Sequence, residues 1–120
     1  MANILIADDS TITRRGLSLI LTEAGHTIAG QATTGKQAYL LYQQLKPDLV
    51  TMDITMPGMD GVEALRTILK MDPSAKIIMI SALDQRKMVL EALENGASHY
   101  IIKPFKEEKV LEIIDAVLNK

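Results

Sequence analysis

The chain has 120 residues, of which 48% are hydrophobic and 23% are charged, and its formal net charge is -2. This length suits one domain of ordinary size and excludes a (β/α)₈ barrel, which needs about 250 residues. The balanced charge argues against a general nucleic-acid binder, because such domains are strongly basic. The chain contains no cysteine, which excludes disulfide frameworks, thiol catalysis and cysteine-ligated zinc.

The apolar runs of the sequence are all short. The first run is followed directly by the acidic pair Asp8-Asp9, unlike the apolar segment of a signal peptide. No run approaches the roughly 18 apolar residues of a membrane-spanning helix. We therefore expect a single soluble domain over residues 1–120, located in the cytoplasm and not inserted in a membrane.

Five short segments rich in β-branched and other apolar residues predict β-strands. The first, third and fourth are almost continuously apolar, which is typical of strands covered on both faces. The strands are predicted at residues 3–7, 27–32, 49–52, 77–80 and 99–102.

Each predicted strand is followed by a longer segment whose apolar residues recur at helical spacing. Five helices are predicted in this way. Their apolar positions are Ile12, Leu17, Ile20, Leu21 and Ala24; Ala38, Leu41, Tyr42 and Leu45; Val62, Leu65 and Leu69; Met88, Val89, Ala92 and Leu93; and Val110, Ile113, Ile114, Val117 and Leu118.

Residues at the predicted helix ends support these boundaries. Thr34 and Gln37 have the spacing of a capping box at the start of the second helix. Asp60 is a favourable cap at the start of the third. Pro73 restricts the residue before it and should end the third helix near Met71.

Strand and helix alternate five times with short connections. Right-handed crossovers then place helices on both faces of a parallel sheet. The predicted fold is a doubly wound α/β domain with five parallel strands and five helices. In such folds the ligand site lies beyond the carboxyl ends of the strands.

Chemically reactive side chains follow four of the predicted strands. They are Asp8, Asp9 and Ser10 after the first strand, Asp53 after the third, Ser81 after the fourth and Lys103 after the fifth. Three carboxylates in one pocket repel one another, and a single lysine does not neutralise them. An all-oxygen site of this kind suits Mg²⁺. A carboxylate can also act as a nucleophile and form an aspartyl phosphate.

With these residues the sequence resembles the receiver domain of two-component response regulators, and within that family the single-domain regulators of chemotaxis. The resemblance extends over residues 4–118. The motifs that carry it are Asp8-Asp9, Asp53 followed by Met56-Pro57 and Asp60-Gly61, Ser81-Ala82, and Lys103-Pro104-Phe105. It implies the flavodoxin-like strand order 2-1-3-4-5.

The resemblance implies that Asp53 is the phosphoacceptor, which receives a phosphoryl group from a histidine of a partner kinase. It implies that Mg²⁺ is held by Asp9 directly and by Asp8 largely through water. Asp53 and the backbone carbonyl of Thr55 would complete the protein ligands. An apolar Leu83, two residues after Ser81, would lie beside the path of the hydrolytic water and slow self-dephosphorylation.

Further roles are implied for residues near the last two strands. Lys103 and Ser81 would each contact a phosphoryl oxygen, and Pro104 would be a cis-proline that orients Lys103. Tyr100 would be the switch aromatic. Phosphorylation would draw Ser81 inward, and Tyr100 would follow. This response would shift a pre-existing equilibrium between two arrangements of the surface formed by the fourth helix, fifth strand and fifth helix.

By the same resemblance, the chain is expected to be a monomeric signalling module. It would catalyse only its own phosphorylation and dephosphorylation, and it would not be an enzyme acting on a separate substrate. The expected partners are a histidine kinase and a flagellar motor switch protein, with no nucleic acid. Two alternatives stay open, namely a phosphorelay intermediate and a receiver that binds partners without being phosphorylated.

Other functions of doubly wound folds fit the sequence less well. A flavin mononucleotide carrier would need a Ser/Thr/Gly-rich phosphate loop where Asp8 and Asp9 stand. A nucleotide-binding enzyme would need a Gly-x-Gly-x-x-Gly or Walker loop, and the sequence contains neither. A haloacid-dehalogenase-type phosphatase has a second acid two residues after its nucleophile, whereas Asp53 is followed there by Thr55.

Overall fold

The computed structural model describes residues 1–120 and contains five strands that alternate with five helices. The strands are β1 Asn3–Ala7, β2 Thr27–Ala32, β3 Leu49–Asp53, β4 Ile77–Ser81 and β5 His99–Ile102. The helices are α1 Thr11–Glu23, α2 Gly35–Leu45, α3 Gly61–Met71, α4 Arg86–Glu94 and α5 Glu107–Leu118. None of these helices combines the length and apolar character needed to cross a membrane.

The five strands form one sheet in the order β2-β1-β3-β4-β5, and all neighbouring strands are parallel. The predicted fold class and strand order are confirmed. β3 and β4 each extend one residue further than predicted, to Asp53 and Ser81. In the sheet register Asp53 is opposite Ile80, and Ser81 is opposite Ile102. The ladder itself therefore positions these two polar residues.

The sheet separates two apolar cores. Because successive side chains of a strand point to opposite faces, Leu5, Val50 and Met79 contribute to the core beneath α2, α3 and α4. Ile6 and Ile80 belong to the opposite core, against α1 and α5. Burying one such side chain contributes about 1.5–3 kcal/mol. Both faces of the sheet are thus covered, and its carboxyl edge is left accessible.

The predicted capping box at the start of α2 forms in a slightly different way. The Thr34 hydroxyl accepts a hydrogen bond from the Gln37 backbone N–H at 3.1 Å. The Gln37 side-chain oxygen accepts from the backbone N–H of Thr33 at 2.8 Å. The return bond therefore closes on Thr33, one residue before the expected partner.

Both ends of α3 agree with the sequence prediction. The Asp60 carboxylate caps the helix by accepting a hydrogen bond from the Glu63 backbone N–H at 2.9 Å. The helix ends at Met71, before Pro73. This cap determines where the loop after β3 ends and α3 begins.

Candidate functional site

Three aspartates meet at the carboxyl edge of the sheet. Asp8 follows β1 and Asp53 ends β3, and both are buried, whereas Asp9 is exposed. One carboxylate oxygen of each residue lies within 4.8 Å of the other two. The convergence follows from the pairing of β1 with β3, which places their carboxyl ends side by side.

The β1–α1 turn that carries the first two aspartates is tied down by several hydrogen bonds. The Asp8 backbone N–H donates to the Ala32 carbonyl at 2.9 Å, and the Asp8 carboxylate accepts from the Ser10 N–H at 2.8 Å. The Ser10 hydroxyl caps α1 by accepting from Thr13 N–H at 3.2 Å. The Arg14 guanidinium donates to the Asp8 carbonyl oxygen at 2.8 Å. These bonds define the direction in which the acidic pair faces.

The loop after β3 closes tightly against the backbone of Asp53. The Ile54 N–H donates to the Ile80 carbonyl at 3.0 Å, and the Gly61 N–H donates to the Ile54 carbonyl at 2.8 Å. A Cβ atom added to Gly61 would lie 2.1 Å from the Asp53 carbonyl oxygen. Only glycine permits this approach, so the first residue of α3 contributes to the placement of Asp53.

Lys103 supplies the positive charge of the site. Its backbone N–H donates to the Ser81 carbonyl at 2.7 Å, and the Lys103–Pro104 peptide bond is cis. The Lys103 ammonium nitrogen lies 3.3 Å from Asp8 Oδ2 and 3.8 Å from Asp53 Oδ1. It is the only basic side chain that forms an ion pair with any of the three aspartates, and its partners are Asp8 and Asp53. The pocket therefore keeps an excess of negative charge.

Burial, and then the charges of the site, affect the pKa of Asp53. Burial raises the pKa of its carboxyl group to about 7, and the negative charge of Asp8 adds to the increase. The Lys103 ammonium and the backbone N–H of Thr55 lower the pKa by smaller amounts. A carboxyl group that titrates near neutrality indicates an environment with too little positive charge to compensate ionisation.

The donor atoms of the site fit Mg²⁺. Asp8 Oδ2 is buried and accepts no hydrogen bond, which is rare for a buried carboxylate oxygen, and its one ion-pair partner is the Lys103 ammonium. Carboxylate and carbonyl oxygens are the ligands that Mg²⁺ prefers. The clustered residues able to hold it are Asp8, Asp9 and Asp53. Thr55 lies two residues after Asp53, and the role of its backbone carbonyl stays a prediction.

Ser81 lies at the same edge and is fully buried. Its hydroxyl donates to the Ala82 carbonyl oxygen at 3.3 Å. In the same β4–α4 loop, the Gln85 side chain accepts a hydrogen bond from Ala82 N–H at 2.7 Å and donates one to the Thr55 hydroxyl. Gln85 thus links the loop after β4 to the loop after β3.

Tyr100 lies outside the aspartate cluster. It is 37% exposed on β5, where it lines an apolar groove together with Leu83, Leu90 and Ile102. Leu83 and Leu90 are also exposed. The structure therefore places the predicted switch aromatic on a surface and not among the acidic residues.

The largest cavity of the molecule, of about 650 Å³, lies at the opposite edge of the sheet. Its lining includes His26, Asp48 and Lys76, which precede the strands β2, β3 and β4. None of the three clustered aspartates lines this cavity. The chemistry-bearing residues are gathered at the carboxyl edge, as predicted for a doubly wound sheet.

Two contacts at the site were not predicted from the sequence. One is the hydrogen bond from Arg14 to the Asp8 carbonyl, and the other is the link from Gln85 to Thr55, which lie 30 positions apart. The sequence offered one indirect signal. Gln85 is the cap residue of α4, a position where Ser, Thr, Asp and Asn are preferred.

Comparison with known proteins agrees with this geometry. The profile of the response regulator receiver domain matches residues 4–115. The chemotaxis protein CheY of Thermotoga maritima is 49% identical over 114 residues, covering 95% of each chain. A Bacillus subtilis protein named CcdB is 51% identical over 119 residues, covering 99% of each chain.

Solved structures show the same likeness. A chain in the crystal structure of the CheX–CheY–BeF₃–Mg²⁺ complex from Borrelia burgdorferi matches with a TM-score of 0.93 and 41% identity, covering 98% of this chain and 90% of that one. A LuxR-family response regulator from Aurantimonas matches with a TM-score of 0.91 and 35% identity, covering 99% and 86%. Since the family profile spans nearly the whole sequence and several relatives share more than 40% of it, the chain belongs to the receiver domain family of two-component response regulators.

Proposed function

We propose that Asp53 accepts a phosphoryl group from a phosphohistidine of a partner kinase, in a reaction that depends on Mg²⁺. One observation carries the proposal. A buried carboxylate at the end of a central strand lies beside two further carboxylates and one lysine ammonium. Such a set combines a nucleophile with groups able to compensate the charge of a phosphoryl group.

In the proposed reaction one carboxylate oxygen of Asp53 attacks the phosphorus atom. The phosphorus–nitrogen bond of the phosphohistidine breaks, and its electron pair stays on the ring nitrogen. The imidazole leaves as a neutral group because its other ring nitrogen carries a proton. Lys103, 3.8 Å from Asp53 Oδ1, would offset negative charge on the transferred oxygens, and the Ser81 hydroxyl would donate to one of them.

Mg²⁺ would be held by Asp8, Asp9, Asp53 and the Thr55 carbonyl. When bound, it would supply positive charge that reduces repulsion between the carboxylates and the phosphoryl oxygens. Two observations support this assignment: the buried Asp8 Oδ2 accepts no hydrogen bond, and Lys103 is the only cation that forms an ion pair with the three-aspartate cluster.

The phosphorylated state would end by hydrolysis. Water attacks the phosphorus atom, the bond between phosphorus and the Asp53 oxygen breaks, and inorganic phosphate leaves the regenerated carboxylate. Both reactions take place on the chain's own Asp53. We therefore propose a signalling module that modifies itself, not an enzyme with a separate substrate.

The proposed output is a change of the face formed by α4, β5 and α5. Ser81 would respond to the new charge, and Tyr100 would carry the response to the apolar groove that it shares with Leu83 and Leu90. The likeness to several proteins named chemotaxis protein CheY supports a flagellar motor switch protein as the target. The phosphorelay and the phosphorylation-independent receiver are the alternative outcomes of the tests below.

The phosphoacceptor role can be tested with beryllofluoride, a mimic of the aspartyl phosphate, in the presence of Mg²⁺. We expect this mixture to raise the melting temperature of the wild type but not of Asp53→Asn. Asp115→Asn, an exposed position on α5, is the matched control and should respond like the wild type. Equal stabilisation of Asp53→Asn would exclude Asp53 as acceptor and favour the phosphorylation-independent receiver.

The output can be tested with purified partners. We expect a flagellar motor switch protein to bind the beryllofluoride-bound chain more tightly than the unmodified chain. Tyr100→Ala should reduce this difference while leaving beryllofluoride binding in place. Rapid transfer of the phosphoryl group to a histidine phosphotransfer domain, without enhanced binding to the motor protein, would favour the relay.

A further inference from the structure

The Gln85 side chain joins two loops across the carboxyl edge of the sheet. Its oxygen accepts a hydrogen bond from Ala82 N–H at 2.7 Å, and its nitrogen donates to the Thr55 hydroxyl. Ala82 directly follows Ser81, and Thr55 lies two residues after Asp53. We call this pair of hydrogen bonds the Gln85 bridge.

Helix capping does not account for the bridge. Gln85 is the cap residue of α4, but its side chain makes no hydrogen bond to the first turn of that helix. By contrast, Ser10, Thr34 and Asp60 cap the three preceding helices through their side chains. The Gln85 amide instead reaches backwards along the chain, so its contacts serve the loops at the site and not the helix.

The bridge holds Ala82, the residue whose carbonyl oxygen the Ser81 hydroxyl also contacts. The Ser81 hydroxyl donates to the Ala82 carbonyl in this structure, so it must turn away before it can donate to a phosphoryl oxygen. That rotation changes the surroundings of Ala82, whose N–H is held by Gln85. Gln85 is in turn anchored to the loop that carries Asp53.

We propose that Gln85 is a positioning residue that holds the Ser81–Ala82 segment in its unphosphorylated arrangement. This proposal rests on the proposed function of Asp53. The bridge tethers the segment to Thr55 and opens when Ser81 turns towards the phosphoryl group. A contact present in only one of two states favours that state, so its removal raises the apparent affinity for a ligand that selects the other state.

The test measures binding of beryllofluoride in the presence of Mg²⁺ by isothermal titration calorimetry. Gln85→Met removes both hydrogen bonds and keeps the length of the side chain. Gln85→Ser also removes the bridge but supplies α4 with a favourable cap, which protects the fold of this variant. Because a net hydrogen bond contributes modestly, we expect both variants to bind about 2- to 10-fold more tightly than the wild type. A merely structural role would weaken binding instead.

Gln44→Met, the same change at an exposed position of α2, is the matched control and should bind like the wild type. A double-mutant cycle with Thr55→Val tests the specific partner, since this substitution removes the hydroxyl that Gln85 contacts. In the Thr55→Val background, Gln85→Met should raise the affinity for beryllofluoride by less than it does in the wild type. In the Thr55→Ser background, which keeps the hydroxyl, the increase should return to its full size. Unchanged or weaker binding by either Gln85 variant, or an equal effect of Gln85→Met with and without the Thr55 hydroxyl, overturns the proposal.

The wild type and Asp53→Asn separate this proposal from the one on which it rests. If beryllofluoride binding does not depend on Asp53, the proposed function fails, and the proposal for Gln85 fails with it. If binding depends on Asp53 but the Gln85 variants bind like the wild type, only the proposal for Gln85 fails.

Discussion

The ammonium nitrogen of Lys103 lies nearer to Asp8 than to Asp53, at 3.3 Å from Asp8 Oδ2 and 3.8 Å from Asp53 Oδ1. Lys103 therefore compensates a proposed metal ligand at least as much as the proposed phosphoacceptor. Its single charge is shared among carboxylates that Mg²⁺ would also neutralise. The lysine and the metal are consequently expected to substitute for each other in stabilising the fold.

Replacing Lys103 by methionine should show whether the lysine and Mg²⁺ substitute for each other. Without the ammonium group, the metal-free protein should lose about 1–3 kcal/mol of unfolding free energy at pH 8, because the buried carboxylates lose their charged partner. The stabilisation by millimolar Mg²⁺ should then be larger than in the wild type. Thermal unfolding with and without Mg²⁺ measures both effects. Lys87→Met, on the exposed surface of α4, is the control, and an unchanged response of Lys103→Met to Mg²⁺ would contradict the prediction.

The stability of the metal-free protein should depend on pH through Asp53. Its pKa is raised from 3.8 to about 7 in the folded state, so the folded protein holds a proton that the unfolded chain releases. Stability should therefore be higher at low pH and decrease as the pH rises from about 4 to about 7. Asp53→Asn has no carboxyl group to ionise at this position, so it should not lose stability in this pH range. At pH 8 its unfolding free energy should exceed that of the wild type by up to about 4 kcal/mol.

Urea unfolding at pH 4.5 and pH 8 without metal tests this expectation. The difference in unfolding free energy between the wild type and Asp53→Asn should be small at pH 4.5 and large at pH 8. Saturating Mg²⁺ at pH 8 should reduce it, because the ionised carboxylate then has a cationic partner. A difference independent of pH would show that Asp53 ionises normally in the folded protein.

The exposed side chain of Leu83 should slow the loss of the phosphoryl group. Leu83 is 78% exposed in the β4–α4 loop and cannot hydrogen-bond to an attacking water molecule. In Leu83→Glu, one new hydrogen bond of about 1.4 kcal/mol in the transition state would speed hydrolysis about tenfold. Phosphate release from the phosphorylated proteins gives the two rates. Leu90→Glu should hydrolyse like the wild type, and equal rates for Leu83→Glu and wild type would refute the prediction.

Gly61 should tolerate no side chain. In Gly61→Ala the new methyl group would meet the Asp53 carbonyl oxygen at 2.1 Å unless the loop moves. We expect a loss of about 1–3 kcal/mol in unfolding free energy and slower phosphorylation of the displaced Asp53. Gly16→Ala is the matched control, because it lies in α1 with no atom within 4 Å of the added carbon, and it should be neutral or stabilising. Wild-type stability and phosphorylation in Gly61→Ala would contradict this account.

Most of the fold was predictable because its determinants are local. Apolar runs defined the strands, helical spacing defined the helices, and residues such as Asp60 and Pro73 marked boundaries that the structure confirms. The ends of β3 and β4 were predicted one residue too early. A polar residue after an apolar run resembles the start of a loop, but backbone pairing with the next strand continues through Asp53 and Ser81 regardless of their side chains.

The candidate site was predictable only in part. The rule that parallel strands end at one edge predicted that Asp8, Asp53 and Lys103 would meet, and the structure brings them together. Their chemical roles stay predictions. The contacts of Arg14 and Gln85 could not be predicted, because they depend on how long side chains extend across loops that are distant in sequence.

The close approach of Gly61 to Asp53 distinguishes two parts of the site by how closely their backbones are packed. The backbone of Asp53 is confined by α3 on one side and by the ladder with β4 on the other. The β4–α4 loop, by contrast, is linked to the loop after β3 through the Gln85 side chain, which contacts the Thr55 hydroxyl and not the Asp53 backbone. Under the proposed function, a kinase would deliver its phosphoryl group to a carboxylate whose backbone is packed on both sides. The rearrangement that reports the delivery would occur in the neighbouring loop.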